Sequence, residues 1–170
     1  VESILQQGDW FGGLPAALQD QIVSRSSLRS YDKDQVIQIE DTPTTGLCAV
    51  IEGQVSLVRH VSNDEPVLMH VAGAGFWFGD IGVLMNDTSV VTAVAISQAR
   101  ILFLPKHEFD RIVDQEPRYF ALFARHSLNT FRIVLQFLAE TLQLAPDSRL
   151  RLRLADLADI HRAQTKSVNN

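Results

Sequence analysis

Apolar residues recur along this chain with three successive spacings. Over residues 1–29 the spacing is helical. In Leu14-Pro-Ala-Ala-Leu-Gln-Asp-Gln-Ile-Val23 the apolar stripe is Leu14, Leu18 and Ile22, with a proline near the start, where a helix has no bond to lose. Gly12-Gly13 breaks the chain just before it. From residue 31 to 104 the period drops to two. Val36, Ile37 and Ile39 make a short strand; residues 47–51 and 55–58 flank a turn at Glu52-Gly53; residues 66–71 follow the polar loop Ser62-Asn-Asp-Glu65. Residues 90–96 and 100–104 are apolar or β-branched runs separated by Ser97-Gln98. Short strands at this even spacing predict a β-sandwich or jelly roll.

The helical period returns at Lys106. Residues 107–113 form a short helix that ends near Glu116-Pro117, and a long helix runs from 118 to about 144. It carries two adjacent stripes at 3-4-3-4 spacing. One is Leu128, Phe131, Leu135, Leu138 and Leu142; the other contains Phe120, Phe123, Val134 and Phe137. One stripe needs one partner surface, so two stripes predict one contact with the β-domain and one with a second copy of the helix. Pro146 stops the helix, Asp147 or Ser148 can cap a new one, and Arg149-Leu-Arg-Leu-Arg153 opens it. Alternate positions spread these arginines around a helix, so they read as a solvated linker. The polar tail 164–170 reads as frayed.

Composition narrows the picture. A chain of 170 residues, 46% hydrophobic, buries one substantial core. A net charge of −5 argues against the whole chain being a polyanion binder, though not against DNA binding by a region outside it. The single cysteine, Cys48, lies in an apolar run and reads as a small buried hydrophobe. It excludes a disulfide framework, a four-cysteine iron–sulfur cluster and a cysteine-based zinc site within one chain. No basic-then-apolar leader opens the chain, and Val rather than Met at position 1 suggests trimming. The long helix is interrupted by Arg125, His126, Arg132 and Glu140, so it is no membrane span. A reduced, cytoplasmic setting is expected.

The stretches Leu47-Cys-Ala-Val-Ile-Glu-Gly-Gln-Val-Ser-Leu57 and Gly75-Phe-Trp-Phe-Gly-Asp-Ile-Gly-Val-Leu84, with Arg149 and the helix it opens, resemble the sensor half of the cyclic-AMP receptor protein/FNR family of bacterial transcription regulators. The resemblance implies an α+β fold: a double-stranded β-helix (jelly roll of the cyclic-nucleotide-binding type) with N-terminal helices and a long C-terminal dimerisation helix. It divides the chain into a sensor domain (1–116), a dimerisation helix (117–144), and a hinge with the start of a linker helix (145–170). The linker would lead to a DNA-binding winged helix absent from this chain.

The resemblance also assigns a ligand cassette to Gly79, Asp80, Ile81, Gly82, Val83, Val90, Val91 and Thr92. In ligand-binding members a Gly-Glu pair opens a short helix toward the cyclic phosphate. The glutamate takes the ribose hydroxyl, and an arginine and a small hydroxyl residue hold the phosphate. Here Gly79-Asp80 shortens the acid, Val90 replaces the arginine and Val91 the hydroxyl, with Thr92 one position late. The polar base contacts of the long helix align with Val134 and Leu135. No Lys or Arg stands between Arg59 and Arg100. A buried phosphate would forgo a charge-assisted pair worth about 1.5–3 kcal/mol, so cyclic AMP is expected to bind weakly or not at all.

Two substitutes for the nucleotide are conceivable. An apolar effector could occupy a cavity lined by Phe76, Phe78, Val83, Val90 and Val134, although apolar side chains filling their own core explain those residues more simply. Haem would need a ligand among His60, His70, His107 and His126, and lone histidines disfavour it. No bound cofactor is therefore expected.

The reading is thus a sensing and dimerisation module of a transcription regulator, not an enzyme. A stand-alone or channel/kinase-type regulatory domain is the alternative. A cupin-like metalloenzyme is the weaker rival, since there is no His-x-His pair. Asp80 and Asp87 fit turn chemistry better than acid/base catalysis.

Overall fold

The structure is a computed structural model that describes residues 1–6, 8–61 and 66–143. The expected loop at 62–65, the break at 145–148 and the arginine-rich helix after it lie outside the described residues. Three short helices come first: α1 (Glu2–Leu5), α2 (Asp9–Gly12) and α3 (Ala16–Arg25). Strands β1 (Ser27–Tyr31), β2 (Val36–Gln38), β3 (Gly46–Glu52), β4 (Val55–Arg59), β5 (Val67–Ala72) and β6 (Trp77–Phe78) follow. Then come α4 (Asp80–Met85), β7 (Thr92–Ala95), β8 (Ala99–Pro105), α5 (Lys106–Gln115) and α6 (Arg118–Gln143). The strands form two antiparallel four-stranded sheets, ordered β1-β8-β3-β6 and β2-β7-β4-β5. This is the jelly roll with flanking helices that the period-two region predicts.

β3 explains the layering. Residues 46–51 are all buried, because both faces of the strand are covered. Leu47, Ala49 and Ile51 face a core shared with Phe11, Leu18 and Ile22 of the N-terminal helices and with Phe109, Ile112 and Phe123 of α5 and α6. Cys48 and Val50 face the interior of the roll, with Val55, Leu57, Phe78, Ile101 and Phe103. Burial pushes the Cys48 thiol up to about 12, against a small opposing pull from Arg29, so it stays an uncharged, hydrophobe-like side chain.

The first segment differs from expectation. Helix α3 ends at Arg25, not near Arg29, and residues 27–31 are a strand. β1 pairs with β8 from Ser27↔Phe103 to Tyr31↔Ala99, satisfying an edge that β8 would otherwise leave open. Arg29 lies with its guanidinium 3.4 Å from the Phe103 ring centroid, a cation–π contact that suits a strand and not a helix face.

The chain divides into two units, Val1–His126 and a second that begins at Ser127. In the first, α6 is anchored by aromatic contacts. Phe123 meets Phe109 at 4.8 Å and Trp10 at 5.7 Å, and Trp10 Nε1 donates to the Leu122 carbonyl at 2.9 Å. His126 lies over Trp10 at 4.7 Å. Burial pushes the His126 imidazole below its usual range, opposed by the Asp80 carboxylate and by a hydrogen bond to the Trp77 backbone. Glu108 of α5 takes Arg25 of α3 at 2.8 Å and Arg111 at 2.6 Å, and the Arg25 hydrogen bond leads in holding its carboxyl below the usual range.

Two outcomes follow from this packing. Gly53 has φ +82°, and a Cβ there would stand 2.1 Å from the Gln98 carbonyl oxygen. Gly53→Ala should cost about 2 kcal/mol or more in a urea melt, since both the backbone angle and the space are wrong for a side chain. A His with a depressed folded pKa is protonated first in the unfolded chain. Its contribution is therefore complete above about pH 6.5 and is lost as pH falls through that value. The melting temperature should fall between about pH 7 and pH 5, and His126→Gln should flatten that slope.

Candidate ligand cassette

The cassette helix α4 begins after Gly79, at φ +87°, and ends at Asn86, also left-handed at φ +53°. Its position is set by the loop between β2 and β3. A Cβ on Gly82 would lie 1.9 Å from Thr44 Oγ1, so only glycine admits this contact. Thr44 is buried, with its hydroxyl 3.3 Å from that of Ser89. Main-chain bonds then run along the two segments. Thr44 N–H donates to Asp87 O (3.3 Å), Ser89 N–H to Thr42 O (2.9 Å), and Asp41 N–H to Ser89 O (2.8 Å). Pro43 and Thr88 bridge between them. Residues 40–45 thus form a second wall along the cassette. Asp87 serves the turn: its Oδ1 accepts the Thr88 N–H at 2.7 Å.

The predicted cassette residues fall in different surroundings. Gly82 and Val83 are buried, and Val83 belongs to the helix-side core rather than the roll interior. Asp80 is half-buried and interacts electrostatically with His126. Ile81 is exposed, and Val90 is 44% exposed. Val91 packs on the roll-interior cluster. Thr92, the late hydroxyl, has its Oγ1 accepting the Glu40 N–H at 3.1 Å, and strand alternation turns it away from the interior face that holds Ala93 and Ala95.

The residues named for an apolar cavity fall in different surroundings. Phe76 and Phe78 pack with the roll interior, Val83 lies in the other core and Val90 is exposed. Val134 belongs to the second unit. A recess of about 310 Å³ adjoins β2, lined by Val36, Ile37, Gln38, Ile39, Thr42, Pro43, Thr45 and Ser89, with no residue of α4 among them. The four histidines are dispersed: His60 on Glu40, His70 against Phe76, His107 beside Glu108, and His126 on Trp10. Among the described residues no three His, Cys, Asp or Glu side chains come together as a metal site.

Sequence reasoning missed three side chains at the cassette. Gln38 Nε2 donates to the Val91 carbonyl at 3.2 Å. Arg59 Nη1 donates to the Val90 carbonyl at 3.0 Å and to Asp41 Oδ1 at 3.0 Å, and stands 3.4 Å from Glu40 Oε2. The signal was present: Arg59 is third in the alternating set Val55, Leu57, Arg59, whose first two members face the interior. Glu40 also accepts the His60 backbone N–H (3.1 and 3.2 Å) and contacts its ring. Burial works to raise the Glu40 carboxyl, but the His60 hydrogen bonds, with the charges of His60 and Arg59, outweigh it and hold it below the usual range.

On the second unit, Leu128, Phe131, Leu135 and Leu138 are each between 48% and 66% exposed. The side chain of Leu142 lies outside the described residues. No described helix is long and apolar enough to cross a membrane.

Comparison with solved structures reproduces the fold. A regulatory protein from Silicibacter pomeroyi DSS-3 superposes with a TM-score of 0.66 at 22% identity, over 85% of this chain and 65% of that one. The Thermus thermophilus Catabolite Activator Protein gives 0.60 at 24% identity, over 86% and 62%. The c-di-GMP-responsive global regulator CLP of Xanthomonas campestris gives 0.69 at 18% identity, over 84% and 72%. The chain thus spans less than two thirds of the first two. No curated protein sequence matches it significantly. The description "Cyclic nucleotide-binding domain" matches residues 28–116, from the second residue of β1 to the residue after α5 and so across every strand and α4. This chain belongs to the cyclic-nucleotide-binding domain family.

Proposed function

We propose that this chain is the effector-sensing and dimerisation module of a Crp/Fnr-type transcription regulator, with a cassette that has lost its strong hold on cyclic AMP. The observation that carries the reading is the joining of a complete cassette-bearing roll to a long helix whose heptad stripe is apolar and exposed. An exposed row of large apolar residues at heptad spacing is the surface that a second identical helix covers. In this reading two copies pair through Leu128, Phe131, Leu135, Leu138 and Leu142. DNA is read by a module C-terminal to this chain, with the helix pair setting the spacing of the half-sites. The protein works in the cytoplasm, without catalysis of its own.

The ligand side follows from charge. In this reading Gly79 to Val83 and Val90 to Thr92 form the phosphate arm, and the side chains at 90 and 91 are apolar. A phosphate there lacks the charge-assisted bond of an arginine at 90 and still loses its water.

Sedimentation equilibrium tests the first half. The chain should be a dimer at micromolar concentration, and Leu135→Asp/Leu138→Asp should make it a monomer while leaving the melting of the roll unchanged. A monomeric parent chain overturns the module reading. Calorimetric titration tests the second: cyclic AMP should show no saturation at low micromolar concentration, and clear saturation there overturns the weakened cassette.

A further inference from the structure

Residues 60–99 hold no Lys or Arg, yet a cation stands at the cassette. Arg59 ends β4 on the strand face whose earlier members, Val55 and Leu57, point into the roll. Its Nη1 reaches the Val90 carbonyl at 3.0 Å, so positive charge arrives from another strand at the position where the cassette itself carries valine. That charge is over-compensated. Asp41 Oδ1 lies 3.0 Å away and Glu40 Oε2 3.4 Å away, so two carboxylates share one guanidinium, and the cluster is net negative while the His60 ring that contacts Glu40 is uncharged. Neither acid is placed by chance. The Asp41 N–H is fixed to the Ser89 carbonyl at 2.8 Å, the Glu40 N–H to Thr92 Oγ1 at 3.1 Å, and the Glu40 carboxylate also takes the His60 N–H. The wall that shapes the cassette thus also carries the two charges that occupy its cation.

We propose that Arg59 is the anion-anchoring residue of this cassette, held off an incoming phosphodiester by Glu40 and Asp41. The proposal rests on the cassette reading above and supplies its regulation. The ligand class is a cyclic nucleotide, whose single negative charge is repelled by the net-negative cluster and attracted by Arg59 once the carboxylates are neutral. The affinity of the pocket is then set outside the sensing segment, by two residues of the neighbouring loop.

The test is Glu40→Gln/Asp41→Asn. Gln keeps an acceptor for the His60 N–H, and Asn tolerates the left-handed backbone of Asp41, φ +58°. In calorimetric titration the double variant should bind cyclic AMP at least roughly tenfold more tightly than the parent, the scale of one charge-assisted pair. Adding Arg59→Met should abolish the gain, and raising the salt concentration should shrink it. A double variant with the parent's melting temperature and no gain overturns the proposal, as does a gain that survives Arg59→Met. Should the double variant fold poorly, Asp41→Asn alone, at a side chain 70% exposed, must show a smaller gain in the same direction; no gain there also overturns it. Dimer formation is read separately by sedimentation, so failure of this proposal and failure of the module reading are distinguishable.

Discussion

The burial of β3 on both faces is the constraint on which the rest of the molecule depends. A strand that must be dry on two sides needs two covers, and one chain has to supply both. The second sheet covers one face with Val55, Leu57, Ala93 and Ala95, small enough to let Phe78 and Phe103 fill the space between. The helices cover the other, which is why elements from both ends of the first unit meet there: Phe11, Leu18 and Ile22 from the start, Phe109, Ile112 and Phe123 from the end. The β3–β8 pairing, from Gly46↔Pro105 to Glu52↔Arg100, fixes both covers to one central pair.

This arrangement also decides where charge can live. The interior cluster holds the Cys48 thiol among apolar side chains, and the charged groups at the cassette stand at the roll's rim, where Arg59, Glu40, Asp41 and His60 are satisfied by one another. On the helix side, the His126 imidazole lies against the aromatic core, tied to Trp10 and Trp77. The two ends of the cassette therefore meet different electrostatic surroundings, an ion cluster near Val90 and a half-buried imidazole near Asp80.

Much of the fold was legible in the residues because alternation and helical spacing report local geometry directly. The run at 47–51 read as a strand with Cys48 buried in it, and the second stripe of the long helix, with Phe123 in it, read as an apolar face in need of a partner surface. β1 was not legible: Ser27-Leu-Arg-Ser-Tyr31 has Arg29 at its centre and one aliphatic residue, Leu28, and its strand character comes from pairing with β8, 68 to 76 positions away. β6 is two residues long, too short to show a period. At the cassette, the glycines stand in one segment, and the resemblance implied where an arginine would be expected in that same segment. The Arg59–Val90 contact could not be read in this way, since it joins the end of β4 to the bend before β7, thirty-one positions on, and only the oddity of a charge on an inward position hinted at it.

The wall formed by residues 40–45 holds the cassette chiefly through main-chain bonds and one glycine contact. Main-chain bonds are indifferent to the side chains beside them. The arm can therefore exchange an arginine for a valine and keep its outline, because nothing in its support was addressed to the arginine. Shape and chemistry are separable in such an arrangement: a main chain can keep the mould of a site whatever side chains line it. What such a mould preserves is a place where selection can later install a grip again, by altering a charge next door rather than rebuilding the arm.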